Sequence, residues 1–230
     1  MIRRYQLALE DRSAWLEEEV RKATAMLRER EREIIIRLSK AAEYRDPETG
    51  AHLIRMAEYS RLITKELGKD GSFCDMLLEA APMHDIGKVG IPDAILLKPG
   101  KLDDSEFELM KRHAQIGYEI LSDSPSELLK FAAEIALYHH ERFDGKGYPT
   151  GLSGTDIPLA ARIVAVADVF DALTSERPYK KAWPFDEAFA LIERERGHHF
   201  DPACVDAFLA NKDKIHLIHD TFSDHHLPIS

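Results

Sequence analysis

The chain of 230 residues carries 44% hydrophobic and 31% charged residues, an ordinary composition for a soluble globular protein with one sizeable core, or one domain plus an appendage. A formal net charge of -10 argues against a general nucleic-acid binder, yet leaves room for a small anionic ligand held by metals and a few local cations. Two isolated cysteines, Cys74 and Cys204, speak against a disulfide framework, no apolar run approaches the ~18–20 residues of a membrane span, and Met1-Ile2-Arg3-Arg4 lacks a following signal core, so a cytoplasmic protein without membrane or nucleic-acid-polymer partners is expected.

From about Leu9 to Leu38 there is no glycine or proline, and Glu and Arg are dense. Apolar or small residues recur at Leu9, Leu16, Val20, Ala23, Leu27 and Ile34, and with Arg30 counted as a seam position they trace a short heptad pattern. Two readings stay open: a long solvated helix capping the domain, or, as the pattern favours, a parallel coiled-coil linker that makes a homodimer and joins an upstream module. The helix is expected to run on through Ile35, Ile36, Leu38, Ala41 and Ala42 into the core and to break at Asp46-Pro47. Thr49 to Leu67 reads as the next helix, stopped by Gly68. Ser72 with Asp75 gives a capping-box-like start to a helix whose last turn Pro82 weakens, delivering His84-Asp85 at its end. Asp104 to Arg112 and Ala114 to Leu121 read as two short helices, Ser126 to Tyr138 as an amphipathic one and Leu159 to Leu173 as a central buried one. Phe185 to Arg196 and Pro202 to Ala210 close the bundle, and His198-His199 order the turn between them. Loops are expected at Val89 to Leu102 and Glu141 to Pro158, and a solvated tail with His216, His219, His225 and His226 after Ile215. Sustained β-type alternation is absent, so the fold class is all-α. The expected divisions are a helical linker over 1–40, a catalytic domain over 41–215 and a tail over 216–230.

The chemistry lies in scattered histidines and acids. Glu48 and His52 are four apart, so in a helix starting there they share a face and can bind one metal; the alternative is a first-turn acid and a packing histidine. His84-Asp85 offers one neutral nitrogen and a carboxylate whose two oxygens can bridge two metals. Gly87 lets backbone approach a ligand closely. Lys88 is a candidate to protonate a leaving oxygen or stabilise phosphate charge, against the alternative of a solvated lysine. His113 falls between two expected helices, where a structural role is the commoner one. His139-His140 end a helix with side chains about 100° apart, so they can reach one metal or two neighbouring ones. Asp168 sits in the apolar stretch Ile163 to Ala172, where a carboxylate is costly unless paired or metal-bound. Asp171 either pairs with a nearby arginine or joins Arg177 and Lys180 at a substrate phosphate. Five imidazoles and three carboxylates can together hold two divalent metals, or three if carboxylates bridge. Such a shell with open positions suits Fe or Mn and accepts Zn, Co or Ni.

These residues fall in collinear segments: Tyr44 to His52, His84-Asp85-Ile86-Gly87-Lys88 through Asp93, Leu96 to Gly100, His139-His140-Glu141-Arg142-Phe143-Asp144-Gly145, Gly147-Tyr148-Pro149, Asp168 to Tyr179 and Gly197 to Pro202. On these motifs the chain from about Ala41 to Phe208 resembles an HD-GYP domain, the branch of the HD metal-dependent phosphohydrolase superfamily linked to cyclic di-GMP. The resemblance implies an HD-type helical bundle behind the long N-terminal helix, and hydrolysis of the 3′–5′ phosphodiester of cyclic di-GMP to linear pGpG and, in some members, GMP. It implies metal ligands at His84, Asp85, His113, His139, His140 and Asp168, and a third-metal pair at Glu48 and His52. The family's motif lysine falls on Lys88, its signature loop on Gly147, Tyr148 and Pro149, and its phosphate-binding cations on Arg177 and Lys180. The expected mechanism is in-line attack by a metal-bridging hydroxide, with Asp85 as the bridge, Lys88 assisting departure of the 3′ oxygen and Tyr148 near a guanine. The N-terminal helix resembles the linker that follows a receiver domain in response regulators, so an upstream receiver domain is expected, and the Gly147-Tyr148-Pro149 loop is a candidate surface for a signalling-protein partner. Rival readings are hydrolysis of another cyclic dinucleotide, such as the mixed GMP–AMP species, and a cyclic-dinucleotide-responsive interaction module.

Overall fold

The computed structural model describes residues 2–43, 50–176 and 181–223, with only the backbone course of residues 2–10 and 43. Every regular element among them is an α-helix or a 3-10 turn, apart from one isolated bridge between Arg196 and Phe200. α1 (Ile2–Glu43) is unbroken, as the lack of glycine and proline dictates, and carries Glu/Arg pairs one turn apart such as Glu18–Arg21 and Glu33–Arg37. Along its length Leu16, Val20, Leu27, Ile34 and Leu38 stay exposed, while Ile35, Ser39 and Ala42 are buried. Its end lies on α2 (Gly50–Glu66) and on two 3-10 turns, Ala81–Met83 and Ile86–Gly90. No helix among the described residues is long and apolar enough to cross a membrane.

α3 (Gly71–Ala80) is capped by Asp70, whose side chain accepts from the Phe73 N–H; the expected cap, Ser72, is already inside the helix. Pro82 then tightens the chain into the first 3-10 turn, which ends at His84. α4 (Asp93–Leu96) is a single turn within the expected long loop. α5 (Asp104–Ser122) is one helix where two were expected, started by a reciprocal capping box between Asp103 and Glu106. No proline interrupts it, and His113 therefore sits in mid-helix. α6 (Glu127–Tyr138) begins at Ser126, whose side chain caps it. α7 (Leu159–Thr174) is apolar on nearly every side and is the central helix, with Ile163, Val164, Val166, Ala167 and Phe170 all buried.

Phe170 ties three further elements to α7. Its ring stacks on Phe189 of α8 (Phe185–Arg194) at 4.8 Å and meets Tyr59 of α2 at 5.7 Å and Phe208 of α9 (Pro202–Leu209) at 4.9 Å. The polar tail expected after Ile215 is instead helical as far as Thr221, in α10 (Lys212–Thr221). Ile215 is buried and the His216 ring stacks on Phe185 at 4.2 Å, so an apolar anchor and a ring contact order a segment whose polar composition concealed them. His225 and His226 lie outside the described residues.

The approach of the second 3-10 turn to α5 positions the motif His84-Asp85. A Cβ placed on Gly87 would lie 2.0 Å from the His113 carbonyl oxygen and 2.4 Å from the Gly117 nitrogen. Only glycine permits this contact, which puts Asp85 beside His113. Gly87→Ala is therefore expected to overpack the junction and destabilise the protein by about 1–3 kcal/mol. The check is the urea unfolding midpoint, and an unchanged midpoint would show that the turn can lift from α5 without loss.

Candidate metal centre

Five elements deliver the donors: α2 gives His52, the turns after α3 give His84 and Asp85, α5 gives His113, the end of α6 gives His139 and His140, and α7 gives Asp168. Most of the rings are aimed by a hydrogen bond on the far nitrogen. Nδ1–H of His84 donates to the Ala81 carbonyl at 3.0 Å, that of His113 to the Met110 carbonyl at 2.7 Å, and that of His139 to the Ala136 carbonyl at 3.0 Å. A carbonyl only accepts, so the proton is fixed on Nδ1 and Nε2 faces inward, the arrangement usual for metal-binding histidine.

The inward atoms converge on Asp85. Its Oδ1 lies 3.3 Å from His113 Nε2 and 3.5 Å from His139 Nε2, and its Oδ2 lies 3.3 Å from His84 Nε2 and 2.8 Å from Lys88 Nζ. Asp168 Oδ1 stands 3.7 Å from His52 Nε2 and 3.8 Å from His84 Nε2. Two groups of convergent donors result: Asp85, His113, His139 and His140 in one, and His52, His84 and Asp168 in the other. Nε2 of His84, His113 and His139 and Oδ1 of Asp85 are buried without a hydrogen-bond partner among the described residues. Buried polar atoms left in this state are costly, and a divalent cation would satisfy all four with the imidazole and carboxylate donors it prefers. The donor set fits a divalent-metal centre.

Electrostatics agree. Burial alone would raise the Asp85 carboxyl, but the charge of Lys88 and the neighbouring His84 hold it well below the usual carboxylate range. Burial pulls His139 and His140 down, which keeps them neutral and able to donate a lone pair. For His84 burial also acts downward, but Asp85 and Asp168 prevail and raise it to about 9, so a cation bound there exchanges with a proton.

Asp171 takes the first of its two expected roles, pairing with an arginine. It is fully buried. Arg55 grips it through Nε at 2.7 Å and through a second nitrogen at 2.9 Å, Ser175 Oγ donates to it at 3.0 Å, and His52 Nδ1–H donates at 2.8 Å. Asp171 thus orients His52, and its partner is an arginine that sequence reasoning overlooked. The available signal was Arg55 itself, a cation three residues after His52 and flanked by Leu53, Met56 and Ala57. Burial would raise the Asp171 carboxyl, but His52 and Arg55 bring it far below the ordinary value. Tyr148 lies half-buried against the donors, its ring 4.7 Å from that of His140, while Pro149 is exposed. Glu141, also overlooked, is buried behind this loop. Glu48, Arg177 and Lys180 lie outside the described residues.

The model of the HD domain family matches residues 8–204. The cyclic di-GMP phosphodiesterase response regulator RpfG of Xanthomonas campestris pv. campestris is 49% identical over 96% of this chain and 59% of that protein. The 3'3'-cGAMP-specific phosphodiesterase 2 of Vibrio cholerae is 44% identical over 86% of this chain and 38% of that protein. The chain thus spans about half the length of these relatives. A solved structure of an HDG"Y"P protein from Bdellovibrio bacteriovorus shares the fold, with a TM-score of 0.56 and 22% identity over 70% of this chain and 51% of that one. The chain belongs to the HD domain family, and its motifs are those of the HD-GYP branch.

Replacing Asp171 with Asn would remove the carboxylate charge that pairs with the buried Arg55. A loss of about 3–5 kcal/mol is expected by chemical denaturation at neutral pH. Because the folded-state carboxyl is depressed, this contribution is present above the ordinary Asp value of about 3.9 and is lost as pH falls below it, so the gap between wild type and D171N should close in acid. A gap independent of pH would mean that the carboxylate charge is not what matters.

Proposed function

We propose that this chain is the catalytic part of a metal-dependent cyclic di-GMP phosphodiesterase, opening the 3′–5′ phosphodiester to linear pGpG, with onward hydrolysis to GMP as its further step. The observation that carries the reading is the Asp85 carboxylate, with one oxygen toward His113 and His139 and the other toward His84. The activity in the name of the relative at 49% identity supports it. His84, Asp85, His113, His139, His140 and Asp168 would hold two divalent ions, Fe or Mn by the character of the shell, and Glu48 with His52 a third. When bound, these ions supply a Lewis acid for the phosphate and a water acid enough to attack near neutral pH.

The chain's own groups do the rest. Asp171 keeps His52 in position through its Nδ1–H. Lys88, with Nζ 2.8 Å from Asp85, holds a proton beside the centre and gives it to the departing 3′ oxygen. Arg177 and Lys180 hold a phosphate. The Tyr148 ring and the exposed Phe107 ring, 6.2 Å apart, form a wall against which a guanine lies. The mixed GMP–AMP dinucleotide is the second substrate to consider, given the relative specific for it at 44% identity. Residues 1–40 are read as a linker helix, whose exposed Leu16, Val20, Leu27 and Ile34 suit a second copy of α1 below an upstream receiver domain. The exposed Pro149 leaves the signature loop open to a signalling partner, and the whole acts in the cytoplasm.

Metal-reconstituted protein should convert cyclic di-GMP to pGpG, resolved by chromatography against the mixed dinucleotide as a parallel substrate. The double substitution His84→Ala, Asp85→Ala should abolish hydrolysis and most metal binding. Full activity in that variant would overturn the proposal, and turnover of the mixed species alone would reassign the substrate.

A further inference from the structure

We infer that Glu141 is a positioning residue for this centre: its carboxylate fastens the loop from Arg142 to Gly151 so that Tyr148 is pressed against the His140 ring. The inference rests on the phosphodiesterase reading only for its kinetic readout. Glu141 directly follows His139-His140 and is 2% exposed. Its Oε1 accepts three hydrogen bonds, from Thr150 N–H at 2.7 Å, Thr150 Oγ–H at 2.7 Å and Gly151 N–H at 3.0 Å. Bonds to a carboxylate are roughly twice as strong as neutral ones, so three on one oxygen clamp the loop's far end to its root.

Inside the clamp the loop folds back on its own start. A Cβ on Gly147 would lie 2.3 Å from the Arg142 nitrogen and 2.5 Å from the Glu141 Cα, so only glycine allows the return. The Tyr148 N–H then donates to the His140 carbonyl at 3.3 Å. The Tyr148 ring comes to rest 4.7 Å from the His140 ring, tilted by 31°, and 6.4 Å from the His113 ring.

His140 has particular need of this contact. His84, His113 and His139 are each oriented by an Nδ1–H bond to a helix carbonyl. His140 makes no side-chain hydrogen bond among the described residues, and its ring is fixed instead by the rings around it: His139 at 3.9 Å, Tyr148 at 4.7 Å and His113 at 4.9 Å. Tyr148 is the member of this set carried by a loop, and Glu141 holds that loop. The chain of influence runs from Glu141 to Thr150 and Gly151, to Tyr148, to the donor nitrogen of His140.

The other carboxylate oxygen of Glu141, Oε2, is buried with no hydrogen-bond partner among the described residues. Glu141→Gln therefore keeps the accepting oxygen and breaks no bond at the second position, whereas Glu141→Ala removes the clamp. In protein labelled with 13C-tyrosine, with the Tyr148 signal assigned through Tyr148→Phe, E141A should move that signal toward the position of free tyrosine. The same variant should weaken Mn2+ binding by about 10–100-fold and lower kcat on cyclic di-GMP more than it raises KM. E141Q, which keeps the accepting oxygen but not its charge, should fall between wild type and E141A in all three. An unmoved Tyr148 signal in E141A, or E141Q as impaired as E141A, would overturn the inference. Should E141A fail to fold, Thr150→Val, which removes a single donor, decides: a partial shift of Tyr148 with weaker Mn2+ binding supports it, and no change overturns it. If the wild-type protein hydrolyses no cyclic dinucleotide, the functional reading falls, while the Tyr148 signal and the Mn2+ titration still decide the role of Glu141.

Discussion

A carboxylate withdrawn from water has to be surrounded by positive charge or hydrogen-bond donors, and the burial of Asp85 imposes that demand on the whole bundle. Lys88 answers it locally, and Nε2 of His84, of His113 on α5 and of His139 on α6 crowd the same carboxylate. Through His84 the demand extends to His52 on α2 and Asp168 on α7. The helices are thus arranged around one anion. The close seat of Gly87 on α5 makes the arrangement possible, because any side chain there would push the Asp85 turn away from His113. Inward-facing Nε2 lone pairs with no donor beside them would be a liability in an ordinary core, but they are the kind of donor a divalent cation prefers.

Around this centre lies a second polar network that does no chemistry itself. Asp171 and Arg55 join α7 to α2 beneath the donors and aim His52. A buried ion pair contributes little net stability over a well-packed apolar one, since desolvation offsets its attraction, so its value here is geometric. It fixes which nitrogen of His52 faces Asp168. Backbone carbonyls of α5, α6 and the first 3-10 turn do the same for His113, His139 and His84. His140 is served by neither device, and the clamped loop takes their place.

Much of this was legible in the sequence, for physical reasons that can be named. Asp168 stood out because a lone carboxylate in an apolar helix needs a partner, and the His84-Asp85 and His139-His140 pairs because each ends a helix. The all-α class followed from periodicity without alternation. What was not legible depended on distance along the chain. Asp171 looked like a neighbour of Arg177, whereas its described partner, Arg55, is far upstream. His113 seemed to mark a break between helices, because the sequence could not reveal that α5 continues under the cover of α6. α10 was hidden by a polar composition that a single buried Ile215 and the His216–Phe185 stack outweigh. Glu141 showed only as the start of a loop and a member of a motif, because its three donors lie at the far end of that loop.

The central claim is that Asp85 stands between two metal positions. Anomalous diffraction from crystals of Mn2+-loaded protein tests it most directly. The account predicts scattering peaks on both sides of the Asp85 carboxylate, one among His113, His139 and His140 and the other beside His84 and Asp168. Peaks away from Asp85, or a single peak with Asp85 still engaged only by its protein neighbours, would contradict it.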